Sequence, residues 1–346
     1  MAKKISKKLD NKIYFKVDNL KKKLESKFKN WKTVYGQMPD WNPAEIIGQN
    51  PYPLLASLYK TMVLDTSWIK ARSIMGYSDN FQRKDLMKIF LGQSFIDVRK
   101  SFISFIPKDI PLFTQKKLVN FYVSKLKSDP SLHDKIEFEI AINCFIFDFE
   151  DRINQLCPNL LKKKEIRNLK NKYFDIFKKT QENKNNGSIN FNLNKIKKLN
   201  ENYEYYKKEK NIKKIIKFTI NNGIIPFSIL ARHAFVAENL LRSLIRLKII
   251  DDKDVEKFKS DLETVTSRFI FDCNLLSNNS MNFSKFKKIY GHLRPGTYDI
   301  NSKNYSSFKK DFFIKRKPNI EKKKSFILNK SKITKIKNIL KKNRLN

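Results

Sequence analysis

Glycine, cysteine and histidine are scarce in this sequence: among 346 residues there are 8 glycines, 3 cysteines and 3 histidines. No GxxxxGK(S/T) or GxGxxG pattern occurs, so the usual glycine-rich loops that bind nucleotide phosphates are missing. The cysteines are odd in number and lack CxxC spacing. This argues against a disulfide framework or a zinc site and favours a reducing compartment. The three are Cys144, Cys157 and Cys273.

Long uncharged apolar runs are also missing. No stretch approaches the roughly 18 such residues that a membrane span needs, so we expect no transmembrane helix and no membrane partner. The basic start, Met1 to Lys8, is not followed by the apolar segment of a secretory signal. The sequence therefore predicts a cytoplasmic location.

Acidic residues are few relative to basic ones: 34 Asp and Glu stand against 73 Lys and Arg, which gives a net charge of +39. Two interpretations stay open. One is binding of nucleic acid or another polyanion, because lysine and arginine neutralise phosphates and release counterions. The other is codon usage: Lys, Asn, Ile and Phe, all encoded by AT-rich codons, are abundant together, and the charge then lies on solvated faces.

The apolar residues that are present follow helical spacing. They make up 40% of the chain and include 28 phenylalanines, enough for a sizeable core. Spacings of three and four predict a mainly α fold, an irregular multi-helix domain with proline-rich ordered loops and at most a minor β element. The best candidate for an extended piece is Phe95–Phe105. Helices are predicted at Leu54–Ile74, Leu112–Leu126, Asp134–Leu156, Pro226–Ile250, Asp251 to about Leu276, and Phe283–Tyr290.

Composition divides the chain into three regions. Residues 1–33 form a basic N-terminal segment with a short exposed helix, residues 34–305 a central helical module, and residues 306–346 a basic tail. Within the module, 159–216 is a lysine- and asparagine-rich excursion. Its helices have little apolar stripe and are predicted to lie on the surface, separated by a loop around Asn185 to Ser188.

The tail carries the most one-sided charge. From Lys315 onward, 13 Lys and Arg face a single acid, Glu321. We expect a mobile basic extension with a transient helix near Ile333 to Leu340, and through it non-specific binding of polyanions.

Six segments, in this order, resemble the middle region of a bacterial family related to phosphoenolpyruvate synthase and pyruvate, phosphate dikinase. The resemblance extends from about Val34 to Tyr305 and is uninformative in 159–216. The segments are Met38–Gly48 (MPDWNPAEIIG), Pro53–Tyr59 (PLLASLY), Gly92 with Phe95–Arg99 (FIDVR) and Ser104–Pro107 (SFIP), His133–Glu139 (HDKIEFE), Pro226–Phe235 (PFSILARHAF) and Tyr290–Ile300 (YGHLRPGTYDI).

The resemblance implies ATP-dependent phosphoryl transfer involving pyruvate or a related acceptor. A full-length member has an ATP-grasp part, this middle region, and a swivelling domain whose histidine carries phosphate. Here the carrier motif is missing, because none of His133, His233 and His292 follows Thr-Ser. The Arg-Ser-Ser element of the ATP-grasp part is missing too.

We therefore expect a scaffold or acceptor-site module of a phosphotransfer system, which as an enzyme needs other domains. ATP and Mg are expected only on partner domains, with no cofactor on this chain and with separately encoded ATP-grasp and phosphohistidine partners. Two alternatives remain: a basic module that binds nucleic acid or another polyanion, and an inactive remnant.

The loop Gly291–Ile300 is the sharpest candidate site. Arg294-Pro295-Gly296-Thr297 fits a type II turn, and an arginine fork, a hydroxyl and turn N–H groups suit a phosphate or carboxylate. The alternative is that Arg294 pairs with Asp299 and only holds the loop. The candidate residues are His292, Arg294, Thr297, Tyr298 and Asp299.

A second candidate lies in the proline-rich loop Met38–Pro53, where Asp40, Asn42 and Glu45 flank Trp41. A rigid backbone beside an aromatic wall suits a polar site. The alternative is a helix that begins with Asn42 as N-cap and Pro43 at its first position, with Trp41 as a packing anchor.

Three pairs complete the candidates. His133 and Glu137, four residues apart at a predicted helix start, suit a metal or an acid–base pair, or else local capping. Asp97 and Arg99 alternate along the extended piece and are predicted to form an internal ion pair. Arg232 is a ligand candidate, and beside it His233 is predicted to be a satisfied core or interface histidine.

Overall fold

The computed structural model describes residues 33–36, 43–79, 86–181, 188–295, 302–314 and 326–345. Within these the protein is mainly α with one small sheet, which confirms the predicted fold class. The chain forms two compact units, 1–239 and 240–346.

The sheet belongs to the first unit and has three antiparallel strands in the order β1–β3–β2. They are β1 (Tyr35–Gly36), β2 (Met87–Phe90) and β3 (Gln93–Asp97). The hairpin between β2 and β3 closes with Leu91 and Gly92, which have φ of +54° and +81°. Positive φ at both positions is what a type I′ turn requires, and this turn twists as the strands do.

The described helices of the first unit begin with one short helix and one long helical segment. After α1 (Pro43–Ile47), α2 (Pro53–Tyr59) passes through a π-helical stretch, Lys60–Trp68, into α3 (Ile69–Ile74). This agrees with the predicted helix over Leu54–Ile74. The others are α4 (Val98–Ile103), α5 (Leu112–Ser128), α6 (Phe149–Leu156), α7 (Lys163–Gln181), α8 (Ser188–Glu201), α9 (Tyr203–Lys207), α10 (Ile212–Thr219) and α11 (Ile225–Arg246), which continues past the unit boundary.

The single helix predicted over Asp134–Leu156 is wrong. A 3-10 segment, Pro130–Asp134, and a π-helical turn, Ile136–Ile140, are followed by an irregular path before α6 begins at Phe149. Residues 141–146 on this path are all buried. A buried main chain without helical hydrogen bonds needs other partners, and side chains from elsewhere in the unit supply them, as described below.

Two more predictions need correction in this unit. The extended piece Phe95–Phe105 is extended only to Asp97, after which α4 begins. The helices of 159–216 are not all superficial, because Leu169 and Tyr173 of α7 are 0% and 1% exposed and form part of the core. Of the predicted loop at Asn185 to Ser188, residues 185–187 lie outside the described part, and Ser188 starts α8.

One continuous helix, Ile212–Arg246, joins α10 and α11 through the π-helical Ile220–Ile224. By length and composition it is apolar enough to cross a membrane, although 44% of its most apolar stretch is buried in the protein. The expectation of no transmembrane helix considered only uncharged apolar runs and did not identify this helix. Buried helices of water-soluble proteins meet the same criterion, so the helix assigns no membrane role.

The second unit contains α12 (Asp252–Asp261) and α13 (Val265–Ser277), where one helix was predicted. The prediction is wrong because Thr264 and Ser267 form a capping box that starts a new helix. The unit also has α14 (Phe283–Tyr290), a 3-10 turn at Tyr305–Ser307, α15 (Lys310–Ile314) and α16 (Lys330–Lys342). As predicted, α14 ends at Gly291.

The core of the second unit is aromatic. Phe286, Tyr290 and Phe313 pack with Cys273 and Leu276, all nearly or fully buried. Ring centroids of Phe286 lie 4.9 Å from those of both Tyr290 and Phe313. The phenylalanine spacing seen in the sequence is thus the spacing of core positions.

The tail is not simply a mobile extension. Lys332 of α16 contacts two carboxylates at the start of α12, at 2.9 Å from Asp251 and 2.5 Å from Asp254. Phe326 stacks edge-on against Phe258, with centroids 5.8 Å apart. Residues 1–32 and 315–325 lie outside the described residues, so the predictions for the N-terminal segment and the tail's first part stay predictions.

Candidate functional site

The loop that was the sharpest candidate is described as far as Pro295. Arg294 Nε donates to the Ser302 carbonyl oxygen at 2.9 Å, and Nη1 approaches the His292 carbonyl oxygen at 3.4 Å. His292 is exposed. Arg294 therefore binds main-chain oxygens of nearby residues and stabilises the conformation of the loop. Thr297, Tyr298 and Asp299 lie outside the described residues, so their roles remain predictions.

The proline-rich loop is described from Pro43 onward. The predicted short helix is present as α1, with Glu45 exposed in its first turn. Asp40, Trp41 and Asn42 lie outside the described residues, and neither the predicted polar site nor the predicted cap is tested.

His133 and Glu137 do not share a helix face, which corrects that prediction. His133 is exposed in the 3-10 segment, and its Nδ1 lies 3.2 Å from the Pro130 carbonyl oxygen. Glu137 is 6% exposed and belongs to the following π-helical turn. A change of helix type between them turns the two side chains into different environments.

Asp97 and Arg99 do not alternate along one strand, since Asp97 ends β3 and caps α4. Its Oδ1 accepts hydrogen bonds from the main-chain N–H groups of Arg99 at 3.1 Å and Lys100 at 3.2 Å. Lys100 Nζ lies 3.6 Å from Asp97 Oδ2. Burial raises the pKa of Asp97, and Lys100 opposes that rise. The carboxylate therefore serves as an N-cap.

A buried polar cluster surrounds Arg232, which is 1% exposed. Arg232 Nη2 donates to the Asn143 carbonyl oxygen at 2.9 Å, and Tyr77 OH donates to the same oxygen at 3.0 Å. Arg232 Nε reaches the Tyr77 hydroxyl oxygen at 3.4 Å. The guanidinium carbon also lies 5.1 Å from the ring centroid of Phe105. Arg232 thus binds the main chain of the irregular path, with an aromatic ring against its face.

Glu137 belongs to the same cluster. Burial by itself lowers the pKa of Arg232, but Tyr77, Cys144 and Glu137 together raise it above its ordinary value. Asn143 Nδ2 donates to the Glu137 carbonyl oxygen at 2.8 Å. Two predicted site residues, Arg232 and Glu137, are therefore brought close together, in the interior and around the main chain.

Two tyrosines complete the support of the irregular path. Tyr173 OH lies 2.8 Å from the Ile142 carbonyl oxygen and 2.9 Å from that of Phe105. The Ile142 N–H donates to the Tyr122 hydroxyl oxygen at 3.3 Å. Within the described residues, Arg232 Nη1 and Asn143 Oδ1 are buried polar atoms without a hydrogen-bond partner. The main effect of the cluster is to hold the main chain of the irregular path in place.

A cleft of about 740 Å³ opens in the first unit between the end of α3, α7, α8 and the start of α11. It holds five lysines and two aspartates, an excess of three positive charges. Lys172 pairs with Asp109 at 3.8 Å. The polar and charged lining residues are Ser73, Lys108, Asp109, Lys172, Asp175, Lys178, Lys179, Thr180, Ser188, Asn192 and Lys195. We call this site the lysine cleft.

One wall of the lysine cleft carries a serine–histidine contact. Ser188 Oγ lies 3.0 Å from His233 Nε2. His233 is 9% exposed, and burial together with the charge of Arg232 lowers its pKa. Asn192 Nδ2 donates to the Ser188 carbonyl oxygen at 2.6 Å and fixes the first turn of α8. The predicted satisfied histidine is confirmed, and its partner lines a cleft.

The lysine cleft was missed from the sequence, although part of its signal was present. Lys172, Asp175 and Lys179 follow a spacing of three and four, which places them on one face of α7. In a chain with 73 basic residues such a face does not stand out. The opposing wall comes from distant parts of the chain, which no local pattern connects.

Comparisons of the chain with known protein families, curated proteins and solved structures found no match. Among the described residues there is no group of three or more His, Cys, Asp or Glu placed to hold a metal ion.

Proposed function

We propose that this chain binds a small phosphorylated or carboxylated ligand in the lysine cleft and serves as the acceptor-site and scaffold module of a phosphoenolpyruvate-synthase-like phosphotransfer system. The observation that carries the proposal is the cleft's excess of lysine: five lysines against two aspartates line a volume of about 740 Å³. A cavity of several hundred cubic ångströms is the usual size for a small-molecule site.

The charges favour an anion over a neutral ligand. Asp109 lies beside Lys172, yet the other lining lysines outnumber the one remaining acid, Asp175. Lysine binds phosphate as a flexible point charge, and its attraction strengthens inside a cleft where water is partly excluded. The hydroxyls of Ser73 and Thr180 at the same walls already donate within the protein, to Asp79 and to the Phe177 carbonyl oxygen, so the lysines carry the attraction for an anion.

The reaction class rests on the resemblance of the six sequence segments to the phosphoenolpyruvate synthase and pyruvate, phosphate dikinase family. In this proposal the ATP-grasp and phosphohistidine domains are separate partners and bind ATP and Mg, and the system operates in the cytoplasm. The present chain contributes the acceptor site.

Calorimetric titration tests ligand binding. Phosphoenolpyruvate, pyruvate and inorganic phosphate are the probes. Lys179→Gln and Lys195→Gln are each expected to weaken binding about 10- to 100-fold, because a hydrogen bond to a charged group contributes about 1.5–3 kcal/mol. Lys253→Gln, on exposed α12 of the other unit, is the matched control. Equal affinities for all three variants, or no binding of any probe, would refute the proposal.

Reconstitution tests the phosphotransfer role. The chain is combined with separately produced ATP-grasp and swivelling-domain proteins, and consumption of ATP is followed with pyruvate present. Activity that appears only in the mixture supports the proposal. Full activity of the chain alone contradicts the assignment of ATP chemistry to partners.

A second candidate function, polyanion binding, is favoured by α16. This helix carries six lysines and no acid over 13 residues. Binding dominated by phosphate contacts weakens with salt, with a log–log slope near −0.9 per phosphate neutralised on duplex DNA. The test is removal of residues after Lys315: an unchanged affinity for DNA, or no binding near physiological salt, excludes this function.

A further inference from the structure

The lysine cleft contains a hydroxyl in contact with an imidazole. Ser188 Oγ and His233 Nε2 are 3.0 Å apart, although 45 residues separate them in the sequence. A nucleophile is recognised by a base within hydrogen-bond reach, about 2.6–3.2 Å. Ser188 lines the cleft, and its neighbour Asn192 anchors its main chain from the same helix turn.

We propose that Ser188 is the nucleophile of a serine–histidine pair and accepts a phosphoryl group from a phosphoanhydride or enol phosphate held in the lysine cleft. This inference rests on the proposed function in one respect, that the cleft holds an anionic ligand. It adds a covalent acceptor on the protein itself and the class of chemistry.

The step balances with groups in the cleft. Ser188 Oγ forms a bond to phosphorus while the bond from phosphorus to the leaving oxygen breaks, and the bonding electron pair departs with that oxygen. The hydroxyl proton moves to His233 Nε2, in the tautomer that carries its proton on Nδ1. The leaving group is a phosphate or an enolate, both anions that the cleft lysines attract.

The surroundings of the pair suit His233 as the base and Ser188 as the nucleophile. Burial keeps His233 neutral to lower pH than an exposed histidine, because its pKa lies below the ordinary value, and only the neutral ring accepts a proton. Ser188 is the first residue of α8, a helix of 14 residues. N–H groups of a first helical turn lack intrahelical partners and favour negative charge beside them. Lys195, two turns along α8, faces the same cleft.

Labelling with diisopropyl fluorophosphate tests the pair without any natural ligand. An activated serine displaces fluoride: its oxygen bonds to phosphorus, the P–F bond breaks, and the proton goes to the base. We expect label on Ser188, located by peptide mass spectrometry, with a rate that falls as pH drops through the lowered pKa of His233. His233→Gln is expected to slow labelling about 100-fold, the lower range for general-base catalysis.

Ser131 and Ser267 are internal controls, because each lies at a helix start and its hydroxyl donates to a group of its own turn, Asp129 for Ser131 and the Thr264 carbonyl oxygen for Ser267. Absence of label from Ser188, or labelling at the same rate as these serines, overturns the proposal, as does an unchanged rate in His233→Gln. Should His233→Gln fail to fold, His233→Ala with and without added imidazole replaces it; faster labelling with imidazole supports the pair, and no response contradicts it.

The outcomes separate the two proposals. Labelling of Ser188 that phosphoenolpyruvate does not slow supports the serine–histidine pair and counts against ligand binding in the cleft. Ligand binding by calorimetry with no label on Ser188 overturns the pair alone.

Discussion

Arg232 Nη2 donates a hydrogen bond to the main-chain oxygen of Asn143 at 2.9 Å across 89 residues of sequence. The bond holds a stretch of buried main chain that forms neither helix nor strand. Because the guanidinium is 1% exposed and Glu137 lies near it, its removal leaves buried polar groups without their partner. We predict that Arg232→Ala lowers the free energy of unfolding by about 3–5 kcal/mol.

Urea unfolding followed by circular dichroism measures this effect. The control is Arg167→Ala on the exposed face of α7, which should change stability by less than about 0.5 kcal/mol. A loss for Arg232→Ala no larger than that of the control would show that the irregular path holds without the arginine.

Removal of the Tyr173 hydroxyl should also destabilise the protein, by less than removal of the Arg232 side chain. Its hydroxyl lies within 2.9 Å of two main-chain oxygens, those of Phe105 and Ile142. Tyr173→Phe keeps the ring and removes the one O–H donor that these two buried oxygens share. We predict a loss of about 1–3 kcal/mol in the free energy of unfolding. Tyr203→Phe, at an exposed position, is the control; equal losses in both would contradict the prediction.

His233 should make the protein less stable in weak acid. Burial and Arg232 hold its folded-state pKa below 6.5, whereas the unfolded chain protonates it near that value. The unfolded state therefore binds more protons as the solution becomes acidic. The stability that neutral His233 contributes is fully present above pH 6.5 and is lost as pH falls through the lower folded pKa. We predict a smaller decline between about pH 7.5 and 5 for His233→Gln. His133→Gln, an exposed control, should decline like the wild type.

The cysteines should be unreactive in the native protein. Burial raises the pKa of Cys157 to about 12, while burial and the neighbouring Asp272 raise that of Cys273 to about 11. At about pH 8 the thiolate fractions are about one in ten thousand and one in a thousand, and the thiolate is the reactive form. Cys144 is buried as well. Ellman's reagent should react only after urea unfolds the chain; fast reaction without urea would count against this.

The contact of Lys332 with Asp251 and Asp254 should protect α16. Hydrogen bonds to Asp254 and Asp251, the carboxylates that cap α12, raise the pKa of Lys332, and the Lys332 ammonium in turn lowers the pKa of Asp251. We predict that Lys332→Gln speeds amide hydrogen exchange throughout α16, and that high salt does the same in the wild type because exposed pairs are screened. Lys337→Gln, exposed on the same helix, should leave exchange unchanged. Equal protection in both variants would mean that other contacts hold the helix.

Local patterns predicted the helices that are amphipathic over their own length. The predictions for Leu112–Leu126 and Pro226–Ile250 correspond to α5 and α11, and the end of α14 at Gly291 followed from a terminal glycine. These features depend on residues within a few turns of each other, which a sequence displays directly. The resemblance to a phosphotransfer family came from the same kind of local observation and remains a proposal.

The sequence by itself determined a mainly α chain with a large basic excess. The tertiary structure alone decided that residues 141–148 are not helical and that lysines of α7, a helix predicted to lie on the surface, line a cleft. It also decided that Ser188 meets His233. The physical reason is range: the main chain of Asn143 takes its hydrogen bonds from Tyr77 and Arg232, and only packing brings such distant groups together.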